Sequence, residues 1–323
     1  MVYVIIQIPC FNEEDTIGRT LDDLPRQIPG VDRLERLIID DGCSDRTVEV
    51  ARAHGVDHVV SFDNNLGLAE GYLAGIRRAL DLGADIIVNT DADNQYSAKD
   101  IPALIAPILE KRADVVVGAR PIMNIGQFSG VKKGLQRLGS WVVRQVSGTA
   151  VEDAPSGFRA INRNAAKRFV IYNNYTYTLE TLIQAGMQNM RIVSTPVSVN
   201  YVERPSRLVK SVFNYVMRSA LTILRVYIIY RPIAFLSRLA MIFAAPGLIA
   251  ILRYLYFATF NEGAAHVQSL VLGTSLVAIA AMVMVAGIIA DLIAANRRLL
   301  EGIRLQLIDM KEAIEKRGPN PPG

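Results

Sequence analysis

The stretch Thr90-Asp91-Ala92-Asp93-Asn94-Gln95 follows directly on Asp85-Ile86-Ile87-Val88-Asn89. A short β-branched run bounded by Gly83 and a polar cluster reads as a buried parallel strand. The two carboxylates then fall where that strand gives way to a loop. Alternate residues of an extended chain face the same side, so the pattern predicts that Asp91, Asp93 and Gln95 converge on one point. Three hard oxygens suit Mg2+ or Mn2+, which keep positions open for water and substrate phosphates. The other reading of a D-x-D is a solvated acidic loop that ends a strand. What lies upstream decides between them.

Residues 2–8 form a first apolar run that ends at Pro9, and Asn12-Glu13-Glu14-Asp15 then load acids where a helix would start. Residues 34–40 are a second strand. Ser44-Asp45 caps a helix reaching His54, with Gly55 as its stop. A strand at 58–62, a helix at 67–82, the acidic strand, a helix at 99–112 and a strand at 115–118 complete the alternation. Strands alternating with helices make right-handed βαβ units and a mostly parallel sheet. Ligands of such sheets bind at the carboxyl ends of the strands. The segments 9–13, 40–45 and 91–95 all fall there, and their coincidence favours a site.

The chain has 323 residues, enough for one α/β domain plus an appendage. Its halves differ: 1–205 mixes apolar and charged residues, whereas 232–295 is dominated by Ala, Leu, Ile, Val and Met. A net charge of +4 is too modest to point to nucleic acid. Cys10 and Cys43 are the two cysteines and form no CxxC, which fits a reducing compartment. Residues 2–8 are too short for a signal peptide and follow no basic segment, so no secretory leader is expected.

Taken in order, Ile8-Pro9-Cys10-Phe11-Asn12-Glu13-Glu14, Asp40-Asp41-Gly42-Cys43-Ser44-Asp45 and Asp91-Ala92-Asp93 resemble the successive signatures of family 2 glycosyltransferases. More narrowly, Leu66-Gly67-Leu68 with Gly71-Tyr72 and Gly75, Gln95, Ser156-Gly157-Phe158-Arg159, and Arg204 six residues before Lys210 resemble the dolichol-phosphate mannose synthase group. The likeness covers roughly residues 2–211. It implies a GT-A fold that binds a nucleotide-sugar and a divalent metal, and inverting transfer of the sugar to a polyprenyl phosphate.

On that reading, Asp41 accepts the ring N–H of a nucleobase, Phe11 and Pro9 supply a flat apolar wall, and Glu13 adds a polar contact. Phe11 packed in the core, and Asp40 as the structural member of its pair, are the competing readings. Ala92 sits among the substrate contacts, between the carboxylates. Arg120, Arg159, Arg204 and Lys210 are the cations available to a leaving pyrophosphate. Asp91 is the side chain expected nearest the reacting atoms. The acceptor phosphate is already an anion, so catalysis rests on positioning and leaving-group stabilisation rather than on a strong general base. The sequence departs from the group's pattern in two places. Arg207 and Val209 replace a Gly and a Ser, and Tyr96 stands where relatives commonly have His.

Residues 206–231 contain no Pro or Gly, and Arg207, Lys210, Arg218 and Arg225 share one helical stripe. They are expected to form amphipathic interfacial helices, or a helix docked on the soluble domain. Residues 233–260 and 267–290 are long enough to cross a bilayer. The loop 261–266 has no Lys or Arg, while Arg231, Arg238, Arg297 and Arg298 flank the pair. The positive-inside rule then puts both ends, and the catalytic domain, in the cytoplasm. In a final helix at 296–316, Leu300, Ile303, Leu307, Met310 and Ile314 repeat with 3-4-3-4 spacing, a seam for self-association or for docking along the domain.

The expectation is therefore an integral membrane, metal-dependent hexosyltransferase. It comprises a GT-A domain at 1–205, interfacial helices at 206–231, a transmembrane hairpin at 232–295, and a cytoplasmic helix and tail at 296–323. Its donor would be GDP-mannose or a UDP-hexose, its acceptor a polyprenyl phosphate, and its cofactor Mg2+ or Mn2+. A processive polysaccharide synthase of the same fold would need a Gln-x-x-Arg-Trp motif, which is absent from the sequence. A catalytically silent membrane scaffold is disfavoured by the intact acid and amide set. A nucleotidyltransferase is disfavoured by the lack of a Gly-rich loop after the first strand.

Overall fold

The computed structural model describes residues 1–121, 140–141, 143–144, 148–149, 151–171, 177–200, 212–260 and 267–317. The chain divides into two compact units, Met1–Ile223 and Leu224–Gly323.

The first unit is built on a seven-stranded sheet ordered β3-β2-β1-β4-β6-β5-β7. Its strands are β1 Tyr3–Cys10, β2 Arg33–Asp40, β3 His58–Ser61, β4 Ile86–Asn89, β5 Val115–Ala119, β6 Arg159–Asn162 and β7 Ile192–Pro196. All pairings are parallel except those of β6, which runs antiparallel to β4 and to β5. The sheet is thus mostly parallel, as expected, with one reversed strand inserted. β1 is buried along its whole length between β2 and β4, as its mostly apolar run requires.

The helices are α1 Ile17–Asp23, α2 Thr47–Ala53, α3 Leu68–Asp81, α4 Ile101–Leu109, α5 Arg163–Arg168, α6 Thr178–Met187 and α7 Val212–Tyr230, which crosses the boundary between the units. On one face of the sheet, Ile6, Ile8, Ile38, Val88 and Val116 pack with Ile17, Leu21, Leu104 and Phe158. Each such fully buried aliphatic side chain is worth roughly 1.5–3 kcal/mol over exposure.

Two local expectations are corrected. β1 does not break at Pro9 but continues to Cys10. β4 has stopped pairing at Gln7, so Pro9 faces only β2 and its missing N–H leaves no ladder bond unmade on the other side. The acids at 13–15 do not start a helix, because α1 begins at Ile17. Their backbone N–H groups are taken instead by Thr47 and Asp45: Glu13 N donates to Thr47 Oγ1 (2.8 Å) and Glu14 N to Asp45 Oδ2 (3.2 Å).

The second unit is a helical hairpin of α8 Pro232–Phe260 and α9 Val267–Arg317. Both helices are long and apolar enough to cross a membrane. Their large apolar side chains point outward, as at Met241 (65 % exposed) and Ile249 (66 %), the reverse of a soluble core hairpin. The pair meets at glycines. A Cβ on Gly247 would stand 3.0 Å from the Gly273 carbonyl, and one on Gly273 2.8 Å from that of Gly247. Such close approach is how helices pack in lipid. At one end Arg297 lies 4.1 Å from the Tyr230 ring centroid, and Arg238 Nη1 donates to the Tyr227 hydroxyl (3.1 Å). The final helix expected at 296–316 is no separate element: α9 runs through it without a break.

Arg204, Arg207, Val209 and Lys210, the loop 261–266 and the tail from 318 lie outside the described residues, as does the side chain of Arg218.

Candidate active site

The carboxyl ends of β1, β2 and β4 present three loops, and hydrogen bonds lace the first two together. Asn12, in the left-handed region at φ 53°, turns its side chain to accept from Ser44 N (2.8 Å). Its own N–H meets Cys43 Sγ at 3.2 Å. Burial pushes the Cys43 thiol up to about 11, so it stays protonated. Phe11 is exposed (43 %), so its ring is no core side chain.

The Asp40-Asp41 pair divides its work. Asp40 Oδ1 accepts from Cys43 N (2.8 Å) and holds the turn, one of the two readings open for it. Asp41 accepts from Leu66 N (2.7 Å) and Gly67 N (3.0 Å), so it also anchors the loop that leads into α3. Burial raises its pKa despite those two donors. The same loop crosses Gly42, at φ +73°, where a Cβ would stand 2.6 Å from the Asn64 carbonyl carbon. Only glycine fits there.

The acidic loop is a turn rather than an extended strand, with Asn94 at φ 55°, so the alternation argument for Asp91, Asp93 and Gln95 does not hold. Asp91 and Asp93 are nonetheless close enough to oppose each other's ionisation. The Asp91 carboxyl is pushed up to about 7, first by burial and then by Asp93, against the pull of Arg120 and Arg159. Gln95 N donates to Asp93 Oδ1 (3.1 Å). Among the described residues no three His, Cys, Asp or Glu side chains form a metal cluster. A cation here would therefore rest on the Asp91 and Asp93 pair, the amide of Gln95 and non-protein oxygens, a hard donor set that fits Mg2+ or Mn2+. The loop is held on both flanks. Thr20 Oγ1 of α1 donates to Ala92 O (2.9 Å), Asn94 Nδ2 to Asp23 Oδ2 (2.7 Å), and Asn200 Nδ2 to Asn94 O (3.0 Å).

The cations differ from expectation. Arg159 is fully buried and engaged by the protein itself, its Nε on Ser156 O (2.9 Å), Nη1 on Thr181 Oγ1 (2.8 Å) and Nη2 on Ala154 O (2.7 Å). The reason is local: the turn before β6 has carbonyls to satisfy, and the five-donor guanidinium satisfies them. Arg120 pairs in bidentate fashion with buried Asp153, at 2.7 and 3.1 Å, and lies 5.8 Å from the Tyr96 ring. Tyr96 stacks on Phe158 at 5.0 Å, and its hydroxyl accepts from Gly157 N (3.1 Å). The His-to-Tyr departure thus ties the acidic loop to the turn before β6.

Sequence reading missed one layer entirely. Gln7 Nε2 donates to Asn89 Oδ1 (2.9 Å), and Asn89 Nδ2 donates to Gly157 O (2.9 Å) and to the Tyr177 hydroxyl (2.8 Å). A Gln and an Asn inside two otherwise apolar strands were its only signal. Burial, and then the charge of Asp91, keep the Tyr177 phenol protonated.

Comparison with known proteins fits this geometry. The chain is 29 % identical over 210 residues to an uncharacterised protein of Methanocaldococcus jannaschii, covering 62 % of this chain and 82 % of that one. It is 29 % identical over 225 residues to the UDP-N-acetylglucosamine–dolichyl-phosphate N-acetylglucosaminyltransferase of Methanococcus voltae, covering 63 % and 87 %. To the undecaprenyl-phosphate mannosyltransferase of Micrococcus luteus it is 26 % identical over 211 residues, covering 62 % and 84 %. Among solved structures, glucosyl-3-phosphoglycerate synthase of Mycobacterium tuberculosis, crystallised with Mn2+, UDP-glucose and phosphoglyceric acid, shares the fold. Its TM-score is 0.57 at 19 % identity, over 70 % of this chain and 80 % of that one. The sheet is thus of the GT-A type. The sequence pattern of glycosyl transferase family 2 matches residues 5–170, and the chain belongs to that family.

Proposed function

We propose that this protein transfers a sugar from a nucleotide diphosphate sugar to a polyprenyl phosphate at the cytoplasmic face of a membrane. The observation that carries the reading is the Asp91 and Asp93 pair at the end of β4, in a chain that also holds two helices able to cross a bilayer. The relatives named for polyprenyl-phosphate and dolichyl-phosphate sugar transfer support the acceptor class. The donor is a GDP- or UDP-hexose.

Asp91 and Asp93, with Gln95, would hold Mg2+ or Mn2+. When bound, the cation neutralises the charge that develops on the leaving pyrophosphate. Phe11 and Pro9 give the nucleobase a flat apolar wall, with Asp41 and Glu13 as polar contacts and Ala92 beside the donor. Arg120, steadied by Asp153, keeps positive potential beside Asp91. Arg204 and Lys210 grip the acceptor phosphate. The bidentate fork of Arg makes Arg204→Lys costly, by roughly ten- to hundredfold in kcat/KM for a lost charge-assisted contact of about 1.5–3 kcal/mol.

The test incubates purified protein with labelled GDP- and UDP-sugars and a polyprenyl phosphate. A mild-acid-labile lipid product that vanishes with EDTA is expected; soluble or polymeric product instead would overturn the acceptor. Orientation is read separately. Asn261→Cys should react with an impermeant thiol reagent outside intact cells and Arg298→Cys should not, and the reverse pattern would refute a cytoplasmic active site.

A further inference from the structure

We propose that the part of α9 beyond its apolar span joins copies of this chain in a parallel, in-register coiled coil. The seam is Leu300, Ile303, Leu307, Met310 and Ile314. Its orientation rests on the reading of α9 as a membrane-spanning helix.

α9 carries two heptad stripes on different faces. Gly273, Ala280, Gly287 and Ala294 recur every seven residues and are all buried. This is the face closed against α8, where Gly273 meets Gly247. The seam lies about 130° around the helix from that stripe, at about 100° per residue. Every seam residue is exposed, from Ile303 at 52 % to Ile314 at 67 %. Contact with lipid accounts for exposed apolar side chains within the apolar span. It does not account for those after Arg297 and Arg298, where charged residues crowd the sequence. A stripe of large apolar side chains in water calls for a cover. Bending onto the bilayer surface would supply one, but α9 runs from Val267 to Arg317 as one helix.

The spacing identifies the cover. Steps of three and four residues in alternation are the period of a helix paired with a helix. The unbroken course of α9 carries the phase backward, so that Ile293 and Asn296, both exposed, fall in the same seam. With Leu300 at position a, the e positions are Arg304 and Lys311, and the g positions are Leu299, Gln306 and Ala313. An antiparallel pair sets e against e and so cation against cation. A parallel pair sets e against g, and each cation then meets an uncharged residue. Copies anchored in one membrane with the same topology also leave it side by side, which is the parallel arrangement. Asn296 fixes the register: aligned copies pair amide with amide, whereas a slip of one heptad sets it against Ile289 or Ile303. A seam this short is helped by confinement, because a shared membrane raises the effective concentration of each copy for the next.

The experiment uses the full chain in native membranes. Leu300→Cys, Leu307→Cys and Ile314→Cys are oxidised with copper phenanthroline beside Gly302→Cys, whose side chain would stand in open space on another face. The wild-type protein, with Cys10 and Cys43 in place, sets the background. Each seam cysteine should trap a linked pair of chains and Gly302→Cys should not, since a disulfide needs Cα atoms within about 7 Å. Adding Leu307→Asp to Ile314→Cys should abolish the link. No linked pair at any seam position, equal yields at Gly302→Cys, or a link that survives Leu307→Asp would overturn the proposal. A link at Leu307→Cys with Leu300→Cys and Ile314→Cys silent would mean an antiparallel pair, and would overturn it too. Release of the wild-type protein by alkaline carbonate would refute the membrane reading itself, and with it the orientation that the anchors impose.

Discussion

The side-chain amide of Asn200 donates to the backbone carbonyl of Asn94 across 3.0 Å, and Asn200 N donates to Gln95 O across 2.8 Å. Asn94 is the left-handed residue of the acidic loop, and Asn200 is the last described residue before the segment that holds Arg204 and Lys210. Asn200 thus clasps the acidic loop. Asn200→Ala should remove about 1 kcal/mol of hydrogen bonding. That corresponds to roughly a fivefold loss in kcat/KM and a Tm lowered by about 2–4 °C. Kinetics and a thermal scan check it; wild-type turnover would detach the clasp from function.

Metal binding should depend on pH. The Asp91 carboxyl, raised to about 7 by burial and Asp93, is protonated below that value, and a cation must displace the proton. Apparent Mn2+ affinity should therefore rise with pH through the window around 7 and level off above it. Calorimetry in buffers of different ionisation enthalpy should detect proton release on binding below pH 7. A flat affinity from pH 5 to 8 would place the cation elsewhere.

Arg159→Lys should harm folding more than nucleotide binding. The substitution gives up the fork that serves Ser156, Ala154 and Thr181. Two lost bonds from a charged donor, at roughly 1.5–3 kcal/mol each, amount to at least about 3 kcal/mol. The expected result is a Tm lower by about 6–12 °C, with nucleotide affinity retained by whatever remains folded at low temperature. Weakened nucleotide binding at unchanged Tm would restore Arg159 to the substrate.

Gly247→Leu tests the hairpin. Its Cβ alone would sit 3.0 Å from the Gly273 carbonyl, Leu276 Cβ and Val277 Cγ2, so a larger side chain must drive α8 and α9 apart. Overpacking of this kind costs about 1–3 kcal/mol. Lower yield and thermal stability in detergent are expected, while Leu252→Ala, on an exposed face, should be mild.

Much of this was legible in the sequence because it obeys short-range rules. The strand periods, the turn at Asp40-Asp41-Gly42 and the apolar spans each announce themselves within a dozen residues. What was not legible depended on partners distant in the chain. Arg159 looks like a phosphate ligand until Thr181, twenty-two residues on, is seen to take its Nη1. Strand β6 is reversed because it slots between β4 and β5, a pairing that no local pattern encodes. Tyr177 joins the buried polar layer only where Asn89 and Gly157 meet it, eighty-eight and twenty residues away. Phe11, by contrast, sat between two readings that its exposure separates at once.

The unbroken course of α9 has a mechanical side. Its 51 residues span about 76 Å at 1.5 Å per residue, more than twice the roughly 30 Å of a hydrocarbon core. Some 40 Å of rigid rod therefore continues past the apolar portion, and a rod pivoting in a bilayer is a lever. Transmembrane helices adjust to bilayer thickness by tilting, and a change of about 10° would sweep the far end of this one through roughly 7 Å. Were α9 to span a bilayer, a change in bilayer thickness would in this way become a displacement at Ile314.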